Sequence, residues 1–309
     1  MDLKQLRYFV SIAELGSFTR ASAHLRITQP ALSRQMARLA AEMKVPLLRR
    51  DGRNIALTAA GEVLLERARF LLRQAEQTRA DVSELAEAPG GQVAIALPPT
   101  VSKILLAPLI RAATERYPTV SIRVMEGFDS AQIEDWLTGG RADLGIYYQH
   151  KANPKIESRV LLEEELLVIG PPGAKHAKAL AATELRRLPL VLPARPHGLR
   201  MYLDSLLGMK LHVLVESNAL TPLLELVKAG IGYTVLPDSA VHEELAQGTL
   251  TGFRIARQNL ARDIVVGVAR DHPRTQAERR IHDLVTACIA DLHASGTWRA
   301  RKPGRAAAA

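Results

Sequence analysis

The sequence reads as an α/β protein that carries a small helical module with a β-hairpin wing at its N-terminus. Three observations lead to this fold class. Residues 3–39 show helical periodicity broken by tight turns. A single long helical pattern spans residues 59–87. From Gln92 onward, short apolar strands alternate with helical stretches.

In the first module, Leu6, Phe9, Val10 and Ala13 fall at i, i+3, i+4 and i+7, one face of a helix. Gly16 ends that helix, and Ser17 suits the N-cap of a second, which buries Ala21 and Leu25 with Phe18 against the same core. Thr28 caps a third helix, with Pro30 in its first turn, where a missing N–H costs little. The buried stripe of this helix is Leu32, Met36, Leu39 and Met43. Pro46 to Thr58 then reads as a hairpin turning at Asp51-Gly52, with Ile55 and Leu57 alternating on the return strand.

Thr58 caps the long helix, which Pro89-Gly90-Gly91 ends. Leu64, Ala68, Leu71, Ala75, Thr78, Val82 and Leu85 are spaced 4, 3, 4, 3, 4, 3, an a/d seam. Either a second copy of the helix covers so narrow a stripe, or the helix lies on its own body. Strands are expected at 93–97, 120–124, 143–148, 165–170, 188–193, 210–215, 232–237 and 264–269, with helices over about 102–116, 129–139, 219–229 and 274–294. This alternation predicts two similar lobes with mostly parallel sheets.

Charge is uneven along the chain. The net charge is +9, and residues 1–58 hold ten Lys/Arg against four Asp/Glu, while residues 299–309 add four cations and no acid. A basic N-terminal module on a near-neutral body fits a polyanion partner, although a solvated surface gives the same tally. The lone Cys288 excludes an internal disulfide and shares a helical face with Ile281, Leu284 and Val285, which reads as core. The N-terminal decapeptide lacks the apolar block of a secretory signal, so a cytoplasmic protein without a membrane partner is expected. No nucleophile elbow, phosphate loop, dinucleotide glycine fingerprint or paired zinc histidines occur, so no enzyme, metal site or cofactor is expected.

Opposite the buried stripe of the third helix lie Pro30, Ser33, Arg34 and Ala37, with Gln29 at the start. Such a short-chained polar face can enter a major groove about 12 Å wide. Gln29 can pair with adenine N7/N6 and Arg34 with guanine O6/N7, while Ser33 can contact a base or a phosphate. Arg38 suits backbone phosphates, and Arg53 beside Gly52 can reach the minor groove. Arg49 and Arg50 touch phosphate or only water. Ser17 and Thr28, at the helix starts, complete the candidate DNA contacts.

These residues also carry a resemblance. Leu6-Arg7-Tyr8-Phe9, Gly16-Ser17-Phe18-Thr19, Thr28-Gln29-Pro30-Ala31-Leu32-Ser33-Arg34-Gln35, Leu47-Leu48-Arg49-Arg50 and Leu57-Thr58-Ala59-Ala60-Gly61 strongly resemble the LysR-type transcriptional regulators. The LPPT and LPARP stretches loosely resemble the nitrogen-assimilation-control branch. The resemblance implies a winged helix-turn-helix, a linker-helix dimer within a tetramer, and an effector domain folded like a type 2 periplasmic binding protein. It also implies base readers at Gln29, Ser33 and Arg34, and double-stranded DNA, a second copy and RNA polymerase as partners. The sequence departs from the family pattern at Ala40 and Lys44, which lacks the usual helix-ending glycine, and at Leu48, where Phe is common.

The expected domains are 1–58 for DNA binding, 59–91 for the linker helix, 92–298 for the effector domain and 299–309 for a disordered basic tail. Within the effector domain, lobe I takes about 92–148 and 268–298, and lobe II about 149–267. Ligands in open α/β sheets sit beyond the strands' carboxyl ends. The expected effector contacts are therefore Pro99, Thr100, Val101, Ser102 and Lys103, then Tyr147, Pro196 and His197, and finally Ser217, Asn218 and Thr221. Helix N-termini, hydroxyls and Lys103 favour a small anionic metabolite. Each residue taken alone reads equally well as a cap or turn. A free solute-binding protein would need an export signal and no N-terminal module. A DNA-binding protein whose lobes only hold oligomers together is a third reading.

Overall fold

The structure, a computed structural model, describes residues 1–52, 54–84, 91–149, 151–175, 179–207, 211–256 and 260–302. In the N-terminal unit, α1 (Leu3–Leu15) starts on a reciprocal cap: Asp2 accepts the Gln5 N–H at 2.7 Å, and the Gln5 side chain accepts the Asp2 N–H at 3.1 Å. Gly16 ends α1 at φ +60°, a conformation that costs glycine nothing. Ser17 caps α2 (Phe18–Leu25), and α3 (Gln29–Met43) follows after a short turn. Leu6, Phe9, Ile12, Ala21, Leu32 and Leu39 close into one core.

One expectation about α3 needs correction. Thr28 stands at the N-cap, but its side chain makes no capping hydrogen bond. Lys44 does end the helix, adopting the left-handed conformation at φ +57° in place of a glycine. The wing pairs β1 (Leu48–Asp51) with β2 (Asn54–Leu57) in antiparallel register, Leu48 opposite Leu57. The Ile55 N–H donates to Gly16 O at 2.9 Å and ties the wing to the α1–α2 turn.

Helix α4 (Ala59–Glu84) begins on Thr58, whose hydroxyl accepts the Gly61 N–H at 3.0 Å and donates to Pro46 O at 2.7 Å. Its seam divides. Ala68 is fully buried in the module's own core, and the half-buried Leu64 packs against it. The reason is that α1 packs along the first turns of α4. Leu71, Thr78 and Val82 are exposed, Ala75 is half-buried, and Leu85 lies outside the described residues.

The body runs β3 (Gly91–Leu97), α5 (Pro99–Arg116), β4 (Val120–Glu126), α6 (Ser130–Thr138), β5 (Leu144–Gln149), β6 (Ile156–Gly170), β7 (Ala179–Leu180) and α7 (Ala182–Leu185). It continues through β8 (Leu190–Leu192), α8 (Gly198–Leu207), β9 (Val213–Glu216), α9 (Leu220–Lys228), β10 (Thr234–Pro237), α10 (Asp238–Ala246), β11 (Thr251–Ile255), β12 (Ala261–Ala269) and α11 (Gln276–Ala294). The two largest cores in the body belong one to each lobe.

The sheets are mixed rather than mostly parallel. Strands β3, β4 and β5 are parallel, as are β8 and β9, whereas β12 runs antiparallel to both β5 and β6. The cause is the crossover: β6 carries the chain out of lobe I, and β12 brings it back alongside in the opposite sense. Strand β6 is 15 residues long, because its half-buried stretch Ile156–Glu164 extends the apolar run expected only at 165–170.

The basic tail is ordered further than expected. Trp298 is fully buried, and Arg301 exchanges backbone hydrogen bonds with Glu163 of β6 at 2.8 and 2.9 Å. A large apolar side chain anchors the segment, and a strand edge satisfies its backbone. Residues 303–309 lie outside the described residues.

Candidate functional site

Two surfaces carry the chemistry, one in each unit. On α3, the 3.6-residue period separates Leu32, Met36 and Leu39, which are buried, from Gln29, Pro30, Ser33, Arg34, Ala37 and Arg38, which are exposed. The exposed face is short and polar, with two guanidinium groups reaching beyond it. Thr19 on α2 donates to Gln29 Oε1 at 3.3 Å, leaving the amide NH₂ of Gln29 free to donate. Sequence reasoning did not single out Thr19, although it sits in the Gly-Ser-Phe-Thr stretch. Thr28 is exposed, whereas Ser17 is half-buried, its hydroxyl accepting the Arg20 N–H. In the wing, Arg50 is exposed, and Arg49 folds back to donate to Leu57 O at 3.2 Å. Arg53 lies outside the described residues.

The second surface is a cleft within the body, where the carboxyl ends of strands from both lobes converge. Lobe I contributes Pro98–Thr100 after β3, Phe128–Ser130 after β4, and Tyr148 of β5. Lobe II contributes Pro193 and His197–Leu199 after β8, and Ser217–Leu220 after β9. Arg262, at the start of β12, closes the floor. Counted to its open mouth, the space measures about 650 Å³ and is walled mainly by apolar groups, as small-molecule sites commonly are.

Of the expected effector contacts, Pro99, Thr100, His197, Ser217 and Asn218 line this cleft. Six others do not. Val101 is buried in the lobe I core, and Ser102 is buried behind the first turn of α5. Lys103 points instead at lobe II, where it pairs with Glu244 at 2.7 Å and donates to Ala240 O at 3.0 Å, a brace between α5 and α10. Tyr147 faces the opposite side of the sheet, in a cluster with Ile133, Leu137 and Val265. Side chains on a strand alternate, so the neighbouring Tyr148 occupies the cleft. Pro196 and Thr221 are exposed outside it.

Beneath the cleft runs a polar chain that the sequence did not reveal. Thr100 Oγ1 lies 3.0 Å from the Tyr148 hydroxyl, which donates to Glu164 at 2.9 Å. Trp298 donates to the other Glu164 oxygen at 2.5 Å. Glu164 is 1% exposed. Burial pushes its carboxyl above the usual value, against hydrogen bonds and Arg262, which act downward. Burial, then the nearby Glu164, also push the Tyr148 phenol up, so it stays protonated and donates. His197 is shifted the other way: burial, then the charge of Arg262, lower its imidazole pKa, which favours the neutral ring. Among the described residues no cluster of His, Cys, Asp and Glu could hold a metal, and no helix is long and apolar enough to cross a membrane.

Known proteins resemble the chain over nearly its whole length. The family profile described as "Bacterial regulatory helix-turn-helix protein, lysR family" matches residues 3–62, and "LysR substrate binding domain" matches residues 86–288. The nitrogen assimilation regulatory protein nac of Escherichia coli is 32% identical, over 78% of this chain and 79% of its own. The transcriptional regulator BbuR of Bordetella bronchiseptica is 28% identical, over 96% and 93%. A full-length OxyR variant of Pseudomonas aeruginosa shares the fold at a TM-score of 0.72 and 24% identity, with 94% of each chain covered. So does CbnR in complex with its target DNA, at 0.64 and 24%, covering 93% of this chain and 100% of that one.

Proposed function

We propose a mechanism that starts from kinship: the chain belongs to the LysR family of transcriptional regulators, binding DNA through its helix-turn-helix and a small-molecule effector through its two-lobed domain. Like its relatives it is a regulator rather than an enzyme. The observation that carries the mechanism is the exposed polar face of α3. Gln29, Ser33 and Arg34 read base edges from the major groove, while Arg38 and the N-termini of α2 and α3 hold phosphates. The wing, with Arg50 and Arg53, follows the adjacent backbone and minor groove. The exposed outer half of the α4 seam, Leu71, Thr78 and Val82, pairs with a second copy. A dimer, further paired into a tetramer, then sets two recognition helices on an inverted repeat.

A small anionic metabolite binds in the cleft and favours one arrangement of the lobes, which changes how the DNA-binding pairs are spaced and how RNA polymerase is engaged. The chain works in the cytoplasm, where its DNA is. Replacing Arg34 by Ala tests the DNA half. Discrimination between specific and scrambled sites should weaken by about 1–3 kcal/mol, whereas Arg38→Ala should weaken both alike and reduce the salt slope. A footprint titration in which Arg34→Ala leaves site preference untouched would remove α3 from the groove.

A further inference from the structure

Arg262 is 6% exposed and lies in the floor of the cleft. A guanidinium remains charged at any ordinary pH, and an unpaired buried charge is costly. Glu164 is its cross-strand partner in the β6–β12 register and the obvious counter-ion. The two form no ion pair within 4 Å among the described residues; the charge of Arg262 acts on Glu164 from farther off, and the two carboxyl oxygens accept from Tyr148 and Trp298. Arg262 instead stacks over the Tyr148 ring at 3.7 Å, and its buried Nε has no hydrogen-bond partner among the described residues. No other Lys or Arg lines the cleft among the described residues. His197 stands on the same wall. Its Nδ1 accepts the Leu199 N–H at 3.2 Å, which puts the remaining ring proton on Nε2.

The other polar groups of the wall are largely turned back onto the protein. Asn218 Oδ1 accepts the Ala194 N–H, the Ser217 hydroxyl donates to Ala219 O, and Asp129 Oδ1 accepts the Gln132 N–H. What remains for the rest of a ligand is prolines, leucines and Phe128. Asp129, the one acidic side chain in the wall among the described residues, disfavours a second anionic group.

We infer that the effector is an apolar monocarboxylate, its carboxylate pairing with Arg262 and accepting from His197 Nε2, its hydrocarbon part against the proline and leucine wall. This rests on the cleft being the effector site.

The test uses full-length protein and calorimetric titration with hexanoate and phenylacetate, their isosteric amides hexanamide and phenylacetamide, and the dicarboxylate adipate. The acids should bind, and the amides and adipate should bind at least about 10-fold more weakly, since a charge-assisted pair is lost or a second charge is forced against Asp129. Arg262→Met should weaken the acids by roughly 100-fold and Arg262→Lys by less, because Lys keeps the charge but loses the fork. Circular dichroism and retained affinity for a promoter duplex establish that both variants fold. Equal binding of acid and amide, undiminished binding by Arg262→Met, or no binding of either acid overturns the inference. Ala219→Trp, which fills the cleft from its rim, separates the two readings. If amides bind as well as acids and Ala219→Trp abolishes both, only the monocarboxylate assignment fails. If ligands bind regardless of Ala219→Trp, the cleft is not the effector site at all.

Discussion

Trp298→Phe removes one hydrogen-bond donor from a buried carboxyl and leaves an aromatic ring in place. In the native protein Trp298 is fully buried, and its indole N–H lies 2.5 Å from Glu164, which also accepts from the Tyr148 hydroxyl. Losing a hydrogen bond to a charged or strongly polarised group costs about 1.5–3 kcal/mol. The lost ring volume adds to that, because the site, walled by β6 and α11, can collapse only in part. The sum is about 3 kcal/mol, or a fall of roughly 6–12 °C in the Tm of the body at about 2–4 °C per kcal/mol. Urea and thermal unfolding should be followed by far-UV circular dichroism, since the variant deletes one of two tryptophans. A double-mutant cycle with Glu164→Gln isolates the pair. A coupling of at least about 1 kcal/mol is expected, and additivity within about 0.5 kcal/mol would refute the contact.

Glu164→Gln alone should remove a pH trend. The folded carboxyl titrates above its ordinary value of 4.5, chiefly through burial. The folded state thus holds a proton that the unfolded chain releases, and wild-type stability is full below that value and declines as pH rises through the folded pKa. The Tm difference between Gln variant and wild type should widen from pH 4.5 upward, and parallel curves would contradict the buried assignment. Lys44→Gly relieves a left-handed Lys at the end of α3 and should stabilise the N-terminal unit by about 0.5–1 kcal/mol in denaturant titrations, with DNA affinity unchanged. Gly61→Ala should do the opposite: its Cβ would stand 2.1 Å from Leu47 O, which is backbone and cannot swing away. A loss of at least about 2 kcal/mol is expected in the same titration.

Much of the molecule was legible residue by residue. The period of α3 separates Leu32, Met36 and Leu39 from Gln29, Ser33 and Arg34 without reference to any other element, because a helix has one geometry and its faces follow from spacing. The Gly16 stop, the Ser17 cap and the Thr58 cap are likewise local, each satisfied within a few residues.

What the spacing could not decide is which neighbour claims a face. The α4 seam is regular from Leu64 to Val82, yet α1 covers its first part, a fact that lives in the packing of two helices far apart in the chain. Lys103 has the chemistry of an anion ligand, but the nearest acid is Glu244, 141 residues away. Tyr147 and Tyr148 are indistinguishable by type, and the parity of the β5–β12 register alone sends one into the cleft. Arg262 and Glu164 lie nearly a hundred positions apart and meet only because β6 and β12 cross between the lobes side by side. Local periodicity and capping were enough to specify the N-terminal module, the exposed polar face of its third helix and the two-lobed plan. The floor of the cleft needed the folded chain, because long-range strand register brings those side chains together and no short-range pattern encodes it.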